Sequence, residues 1–514
     1  LCLPESIGGA ESFARTHLKH FNIAVIFVTV FNEEERAVAA SESNLRFVLQ
    51  AAGQGKRMKS NKCKVLHEVL GRPILWRILQ AVDAVMPEHI HIVIGHEAEQ
   101  IEQFLRDHPP KTPYSLHLQK PQLGTGHALQ QVMPGLEGFK GTLVVAAADV
   151  PMLTPATFSR MIEHHRKLQA SVTVLTADVD DPKNYGRIVR DANQQVVGIT
   201  EHKDCTEEER KIKEVNTANY CFEWPAILDG VKTLSNDNQQ KEYYLTDVVG
   251  WAYRQKLPTT AISVLDWREM IGINSRLELA EANQLMRDMK VRELALDGGV
   301  TIIDPLSTWI APEVKVGQDS VIYPGCILFG DVEIGSNCSI GPHSSITGKV
   351  KIGDGSSILQ SHVANTSLGK NCRVGPFAHL RDGNDIADNV RLGNFVEIKK
   401  AFIGNKTNVS HLSYVGDAEI GSGSNLGAGT ILANYNHATK KKSRTKIGDN
   451  ASTGSNSVLV APISIGDGAS VAAGTVATKD VPAGALAVGR VRQENKLGWS
   501  ERHKDDTKGS NGNH

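Results

Sequence analysis

The chain has no C-x-x-C pair, and its cysteine count is odd, seven in 514 residues. That supplies neither a disulfide framework nor a zinc site, and it suits a reduced, cytoplasmic setting. An excess of one charge is lacking too: 56 Lys and Arg stand against 57 Asp and Glu, a formal net charge of -1. Such a balance argues against nucleic-acid binding and against work on an acidic membrane surface. No apolar run reaches the length of a bilayer span; Phe21 to Phe31 is the longest candidate and is too short. It has the length of a signal-peptide core with Ala37-Val38-Ala39 as a cleavage site, but Glu33-Glu34-Glu35 lies between the two. Residues 1–44 are therefore expected to be an extension outside the fold, from a fragment or from a start upstream of the true one. The fingerprints G-x-x-x-x-G-K-[ST] and G-x-G-x-x-G are also missing, which removes the usual support for a kinase or a dehydrogenase.

What the chain does have is a repeat. An aliphatic–Gly step recurs from Val316-Gly317 through Ile334-Gly335, Ile340-Gly341, Ile352-Gly353 and Leu368-Gly369 to Ile465-Gly466, often at multiples of six. This is the signature of a hexapeptide-repeat parallel β-helix. A small residue often stands two places before the aliphatic one, as at Cys338, Cys372 and Ser424. The aliphatic side chain fills the axis of a triangular coil, the small one lets the chain turn, and the glycine frees the backbone past the corner.

The part before the repeat has a different grammar. Leu45 to Leu49 reads as a strand running into the loop Gln50 to Met58, where small residues let backbone N–H groups approach phosphates. Arg57 and Lys64 follow and can neutralise charge that builds during phosphoryl chemistry. A plain strand-to-helix turn explains that loop equally well when it is taken alone. Lys64 to Leu66 and Gly71 to Ile74 are expected to open a helix, with His91 to Gly95 and Leu143 to Asp149 as further buried strands. Strands alternating with helical patterns imply an α/β doubly wound, Rossmann-like sheet. Ligands then sit at the carboxyl ends of the strands, where Gly53, Gln119 to Thr125 and Asp149 converge. Asp149 is either an Mg²⁺ ligand or a helix N-cap.

With these stretches in hand, residues 45 to 500 resemble the bacterial bifunctional enzymes of UDP-N-acetylglucosamine synthesis, which join a uridylyltransferase to an N-acetyltransferase. The matching motifs are AAGQGKRMKS, LQKPQLGTGHA (Leu118 to Ala128), ADVP (Ala148 to Pro151), YGRI (Tyr185 to Ile188) and EHKD (Glu201 to Asp204). EVNT (Glu214 to Thr217), EYYLTD (Glu242 to Asp247) and INSR (Ile273 to Arg276) continue in order. The resemblance implies that Ala51, Ala52, Gly53 and Gln119 hold the uridine end of UTP, with Gln122, Gly124 and Thr125 lining the same pocket. It implies Arg57 and Lys64 at the phosphates, Mg²⁺ on Asp149 and Asn274, and Gly186, Glu201, Asn216, Tyr244 and Thr246 around the amino sugar. Four positions depart from the family pattern. Gln50 stands for an aliphatic residue, Cys63 for a proline, and Ala148 and Ala218 each for a glycine.

Ser275 to Leu296 is helical in period, and Gly298-Gly299 marks a break. The expected units are thus a uridylyltransferase over 45–274, a linker over 275–309, coils over 310–490 and a tail over 491–514. Two interruptions of the coils are expected, one holding Arg381 and one running from Asn434 to Lys442. The second is either a solvated loop or a reach across to a neighbouring subunit. His411 is expected on a turn between coils, with Lys399, Tyr414 and Asn425 one coil away. Acetyl transfer from a thioester to an amine needs a base of near-neutral pKa, and no active-site thiol or serine.

The resemblance implies His411 as that base, with Glu397 helping to orient the site. It implies Arg381, Lys399, Tyr414 and Asn425 at glucosamine-1-phosphate, with Asn434 and Tyr435 beside them. Ala428, Ser455, Ala473 and Arg490 would line the acetyl-CoA groove of a left-handed β-helix packed as a homotrimer. A nucleotidyltransferase whose coils serve only as a scaffold is the first alternative, and a catalytically dead binding protein the second.

Overall fold

The computed structural model describes residues 44–502. The expectations for residues 1–43, and for the tail from 503 to 514, fall outside the described residues. A single helical turn, Trp499–Arg502, closes the described chain.

Alternating and continuous apolar strands build one mixed sheet in the N-terminal part. Its order is Thr259–Ser263, Val172–Asp178, Glu214–Trp224, Gly141–Ala147, Leu45–Gln50, His89–Ile94 and Tyr114–Leu118. The last four strands run parallel to one another, while Glu214–Trp224 is antiparallel to both its neighbours. Phe47, Val48 and Leu49 are fully buried, as a parallel sheet covered on both faces requires. The helix expected from Lys64 starts only at Ile74 and runs to Ala84. Lys64–Leu66 is an isolated 3₁₀ turn, and a tight hairpin of Glu68–Val69 with Arg72–Pro73 follows it. Leu70 and Gly71 at the hairpin tip both have positive φ, which no continuing helix accommodates.

The charged segment does form a helix, Arg276–Leu296, capped by Ser275 Oγ accepting from the Glu278 amide. Its buried face, including Ala282, Met286 and Leu294, joins the core of the coils. Arg77 ties the halves together: its guanidinium donates to Val69 O and, at 2.7 Å, to Glu313 Oε1. Arg72 reaches Asp331 at 2.7 Å across the same boundary.

The coils form a prism of three parallel sheets with eleven, ten and nine strands, a left-handed β-helix. They begin earlier than predicted: Thr301–Ile302 already pairs with Val321–Ile322, inside the stretch assigned to the linker. The repeat aliphatics Ile322, Ile340, Ile358, Val374, Leu392, Val409 and Leu426 stack in register and are buried. Cys338, Cys372 and Ser424 fill the corners as small buried groups. The six cysteines among the described residues are all unpaired and buried.

No insertion interrupts the coils at Arg381. Ile346, Val363, Leu380 and Ile398 stack in steps of 17 or 18 residues, so a coil one residue short mimics a break. The second interruption is a true insertion between Leu432 and Leu459, which extrudes a hairpin of Tyr435–Asn436 against Lys441–Lys442. Among the described residues no helix is long and apolar enough to cross a membrane.

Candidate active sites

Two clusters are built at opposite ends of the chain's logic. In the N-terminal part, the loops at the carboxyl ends of the parallel strands converge as a doubly wound sheet demands. Gln122 Nε2 donates to Ala52 O at 2.5 Å, and Gln50 Nε2 to Thr125 O at 3.0 Å. Gln119, almost fully buried, donates to Gly124 O at 2.9 Å. Gln50, one of the departures, therefore clips the Gly124-Thr125 turn to the end of the first strand.

A cleft of about 970 Å³ opens beside this loop and is lined by Arg57, Asp149, Asn216, Ala218 and Asn274 among others. Lys64 Nζ lies 2.5 Å from Asp149 Oδ2 and 3.1 Å from Asn274 Oδ1. One carboxylate and one amide oxygen suit a hard divalent cation that takes its other ligands from phosphate and water. The Lys64 ammonium is the positive charge that these two oxygens meet in this structure. Among the described residues no group of three or more His, Cys, Asp or Glu could hold a metal ion.

The residues expected around the amino sugar form a second layer. Thr246 Oγ1 donates to Glu201 Oε1 at 3.2 Å, and burial pushes the Glu201 carboxyl above its usual range. Gly186 leaves little room for a side chain, with Ile199 and Glu201 against its α-carbon. The Tyr244 hydroxyl, pushed up to about 12 chiefly by burial, accepts from Gln240 and donates to Asp204. Asn216 is committed internally: its Nδ2 donates to the Tyr220 hydroxyl at 2.7 Å and its Oδ1 accepts from the Ala218 amide at 3.0 Å. None of Tyr220, Gln240 and Asp204 is expected as a site residue from the sequence: Asp204 ends the matched EHKD stretch, and Tyr220 and Gln240 lie just outside EVNT and EYYLTD.

In the prism, His411 ends the strand Asn408–His411 and is exposed at a corner. Its Nδ1 is 2.6 Å from Asn394 Oδ1, its register partner one coil earlier. With an amide oxygen facing it, Nδ1 carries the proton and Nε2 keeps a free lone pair. Glu397, expected to help orient the site, pairs with Arg381. It accepts from Arg381 Nη1 at 2.8 Å, and that bond raises the guanidinium's pKa.

Arg381, Lys399 and Tyr414 project from one face of the prism, in the neighbouring strands His379–Leu380, Glu397–Lys399 and Tyr414–Gly416 and at their ends. Asn425 is on the adjoining face, paired with Asn408 and Ser452, so one chain does not bring it to them. Asn434 is buried and donates to Asp417 Oδ2 at 2.6 Å, while Tyr435 stands exposed on the hairpin. His411, Ala428, Ser455 and Ala473 occupy one column: the amides of Gly429, Asn456 and Gly474 donate to His411, Ala428 and Ser455 in turn. Arg490 closes it, its Cδ beside Gly474.

Comparison with known proteins bears on both clusters. Residues 47–215 match the MobA-like NTP transferase domain, and residues 444–479 match the bacterial transferase hexapeptide repeat. A bifunctional protein GlmU from a Synechococcus species is 45% identical over 89% of this chain and 99% of its own length. One from a Geobacillus species is 44% identical over 88% and 97%, and one from Halalkalibacterium halodurans 43% over 88% and 98%. The chain belongs to the GlmU family of bifunctional proteins.

As a member of the GlmU family, the chain carries its four departures without disturbing the frame. Ala148 is fully buried in ordinary backbone at the end of its strand, and its amide donates to Gln50 O. Ala218 differs, because its φ is +59, a conformation that glycine adopts freely and alanine does not. It sits where the register of Glu214–Trp224 against Val172–Asp178 slips between Asn216 and Asn219. Cys63 is buried where its amide donates to Gln100 Oε1 at 2.9 Å, a bond that proline would lack.

Proposed function

We propose that this bifunctional chain makes UDP-N-acetylglucosamine in two steps, acetylating glucosamine-1-phosphate in the prism and then uridylylating the product in the N-terminal cleft. In the first step the amine nitrogen attacks the thioester carbonyl of acetyl-CoA. The C–N bond forms, His411 Nε2 takes the amine proton, and as the C–S bond breaks that proton passes to the sulfur, so coenzyme A leaves as the thiol. Arg381, Lys399 and Tyr414 hold the sugar phosphate from one face. Asn425, on the adjoining face, joins them when a second copy packs against the corner, which favours a trimer. Ala428, Ser455, Ala473 and Arg490 line the path of acetyl-CoA.

In the second step an N-acetylglucosamine-1-phosphate oxygen attacks the α-phosphorus of UTP and pyrophosphate leaves. The nucleophile is already anionic, so no base is needed. Asp149 and Asn274 would hold Mg²⁺, which screens phosphate charge when bound. Arg57 and Lys64 add positive charge at the phosphates, and Ala51, Ala52, Gly53, Gln119, Gln122, Gly124 and Thr125 seat the nucleotide. Gly186, Glu201, Asn216, Tyr244 and Thr246 form the amino-sugar wall.

The observation that carries this reading is the His411–Asn394 contact at the head of the small-residue column, since a mere scaffold has no use for a tautomer-fixed imidazole on its edge. The test is thiol release from acetyl-CoA with glucosamine-1-phosphate and no UTP, in wild type and His411→Ala. Release should vanish in the variant, while pyrophosphate release from UTP and supplied N-acetylglucosamine-1-phosphate persists. Undiminished thiol release in the variant would overturn the assignment of the base.

A further inference from the structure

At the corner that carries His411, successive coils each present one residue with left-handed backbone. In chain order these are Phe377 (φ 58), Phe395 (φ 56), Leu412 (φ 51), Gly429 (φ 77), Asn456 (φ 57) and Gly474 (φ 72). From Phe395 onward the stack is continuous, because each amide donates to the residue preceding its counterpart one coil earlier: Leu412 to Asn394, Gly429 to His411, Asn456 to Ala428 and Gly474 to Ser455.

Glycine and asparagine hold a positive φ readily, whereas leucine and phenylalanine there pay a steric penalty. The corner therefore changes character at His411. On its C-terminal side the positions are Gly429, Asn456 and Gly474, and the Asn456 side chain lies over the bare α-carbon of Gly429. Leu412 on the same coil as His411, 59% exposed, and Phe395 and Phe377 on the coils before it, 56% and 52% exposed, are instead large and apolar. Phe395 and Phe377 are stacked, with ring centroids 5.5 Å apart and planes within 11°. Nothing in the fold of one chain requires bulk at these corners, since the same corner is built from glycine twice and asparagine once below. Strain that packing does not demand points to function.

We propose that Leu412, backed by Phe395, is the end-stop of the acyl-donor groove and limits the transferred acyl group to two carbons. The inference rests on the assignment of His411 as base and of the Ala428–Ser455–Ala473 column as the groove. A thioester advancing along that column reaches His411 with its carbonyl carbon. Any atoms beyond that carbon must continue toward the next coil, only about 4.8 Å away. Phe395 stands on that next coil, and Leu412 stands beside His411 at its near edge. A methyl group ends short of such a wall, while a longer chain meets it. One methylene read by an apolar wall discriminates by about 10- to 200-fold.

The test compares kcat/KM for acetyl-CoA and butyryl-CoA with glucosamine-1-phosphate, using wild type, Leu412→Gly, Leu412→Asn and Phe377→Gly, with the oligomeric state of each from sedimentation. Glycine and asparagine both suit the left-handed backbone, so the fold is kept. The butyryl-to-acetyl ratio should rise about tenfold or more in both Leu412 variants and stay at the wild-type value in Phe377→Gly. An unchanged ratio in the Leu412 variants, with or without a loss of assembly, would overturn the proposal and leave the apolar edge as a packing surface between copies. An equal rise in Phe377→Gly would overturn it too, as general loosening. So would loss of all acyl transfer, since a wall that only limits length is not needed for acetyl. Absence of acetyl transfer by the wild type would instead refute the underlying site assignment.

Discussion

The Lys64 ammonium lies 2.5 Å from Asp149 Oδ2 and reaches Asn274 Oδ1 at 3.1 Å, so one side chain closes the pair of oxygens assigned to the metal. Both partners are largely buried, with 11% and 20% of their side chains exposed, so solvent screens the contact less than on an open surface. A divalent cation entering there has to displace the ammonium before it gains Asp149.

Lys64→Ala should therefore bind Mn²⁺, used as a reporter cation, about tenfold more tightly in the absence of nucleotide, the equivalent of roughly 1.4 kcal/mol. The same variant should release pyrophosphate much more slowly, because a charge that meets the transferring phosphate is gone. Calorimetric titration reads the first effect. An affinity equal to wild type would mean that the ammonium and the cation do not compete.

Ala148 and Ala218 look alike in the sequence, each an alanine where the family has glycine, and the structure separates them. Ala218 has φ +59 and Ala148 has no left-handed backbone. Ala218→Gly removes a left-handed penalty of about 1–2 kcal/mol but adds about 0.4–1 kcal/mol of unfolded-chain entropy, so a net gain of roughly 0.5 kcal/mol is expected. Ala148→Gly has only the second term and should lose roughly 0.4–1 kcal/mol. Urea midpoints of the two variants should move in opposite directions; movement in the same direction would remove backbone strain as the distinction.

That contrast marks where the sequence is legible. The prism could be read because its signal repeats: each aliphatic–Gly step votes for the same phase, and Ile334, Ile352 and Leu368 duly stack. The strand Leu45–Gln50 and the helix Arg276–Leu296 could be read because a run of apolar residues and a 3.6-residue period are local. Backbone sign at Ala218, the corner shared by Asn394 and His411, and the face on which Asn425 lies depend on register between distant coils or strands. No window of sequence carries them. Arg381 was misplaced for the same reason: a 17-residue coil beside an 18-residue one looks like a break until the ladder is closed.

Two buried histidines make a prediction about acid. His91 and His165 are each almost fully covered, and burial, helped by neighbouring cationic groups, lowers their pKa values to about 3 and about 4. The unfolded chain takes up their protons near pH 6.5 while the folded chain does not. Their contribution to stability is thus complete above pH 6.5 and is lost as the pH falls from there toward 4 and then 3. Between pH 6.5 and 5 the two together should cost about 3 kcal/mol, less whatever Glu223, 3.9 Å from His165, returns on protonation. His165→Asn should flatten the fall in urea midpoint between these pH values. A wild-type midpoint that does not change over this range would exclude both histidines as the cause of acid sensitivity.

The Asn394–His411 contact permits a sharper test, because a neutral partner was used where other bases have a carboxylate. An amide oxygen fixes the tautomer through the 2.6 Å contact with Nδ1 yet adds no net charge beside the ring. In Asn394→Asp the same geometry would place a carboxylate there, which favours the imidazolium. The acidic limb of kcat/KM for acetyl transfer should therefore shift to higher pH, leaving the variant slow at neutral pH and recovering as the medium becomes alkaline. Asn394→Ala removes the orienting acceptor without adding charge, so its rate should fall across the whole profile with the limb in place. The two variants thus separate orientation from electrostatics. If Asn394→Asp lowered the rate with no movement of the limb, the imidazole would not be the titrating base, and the proton would have to leave the amine by another route.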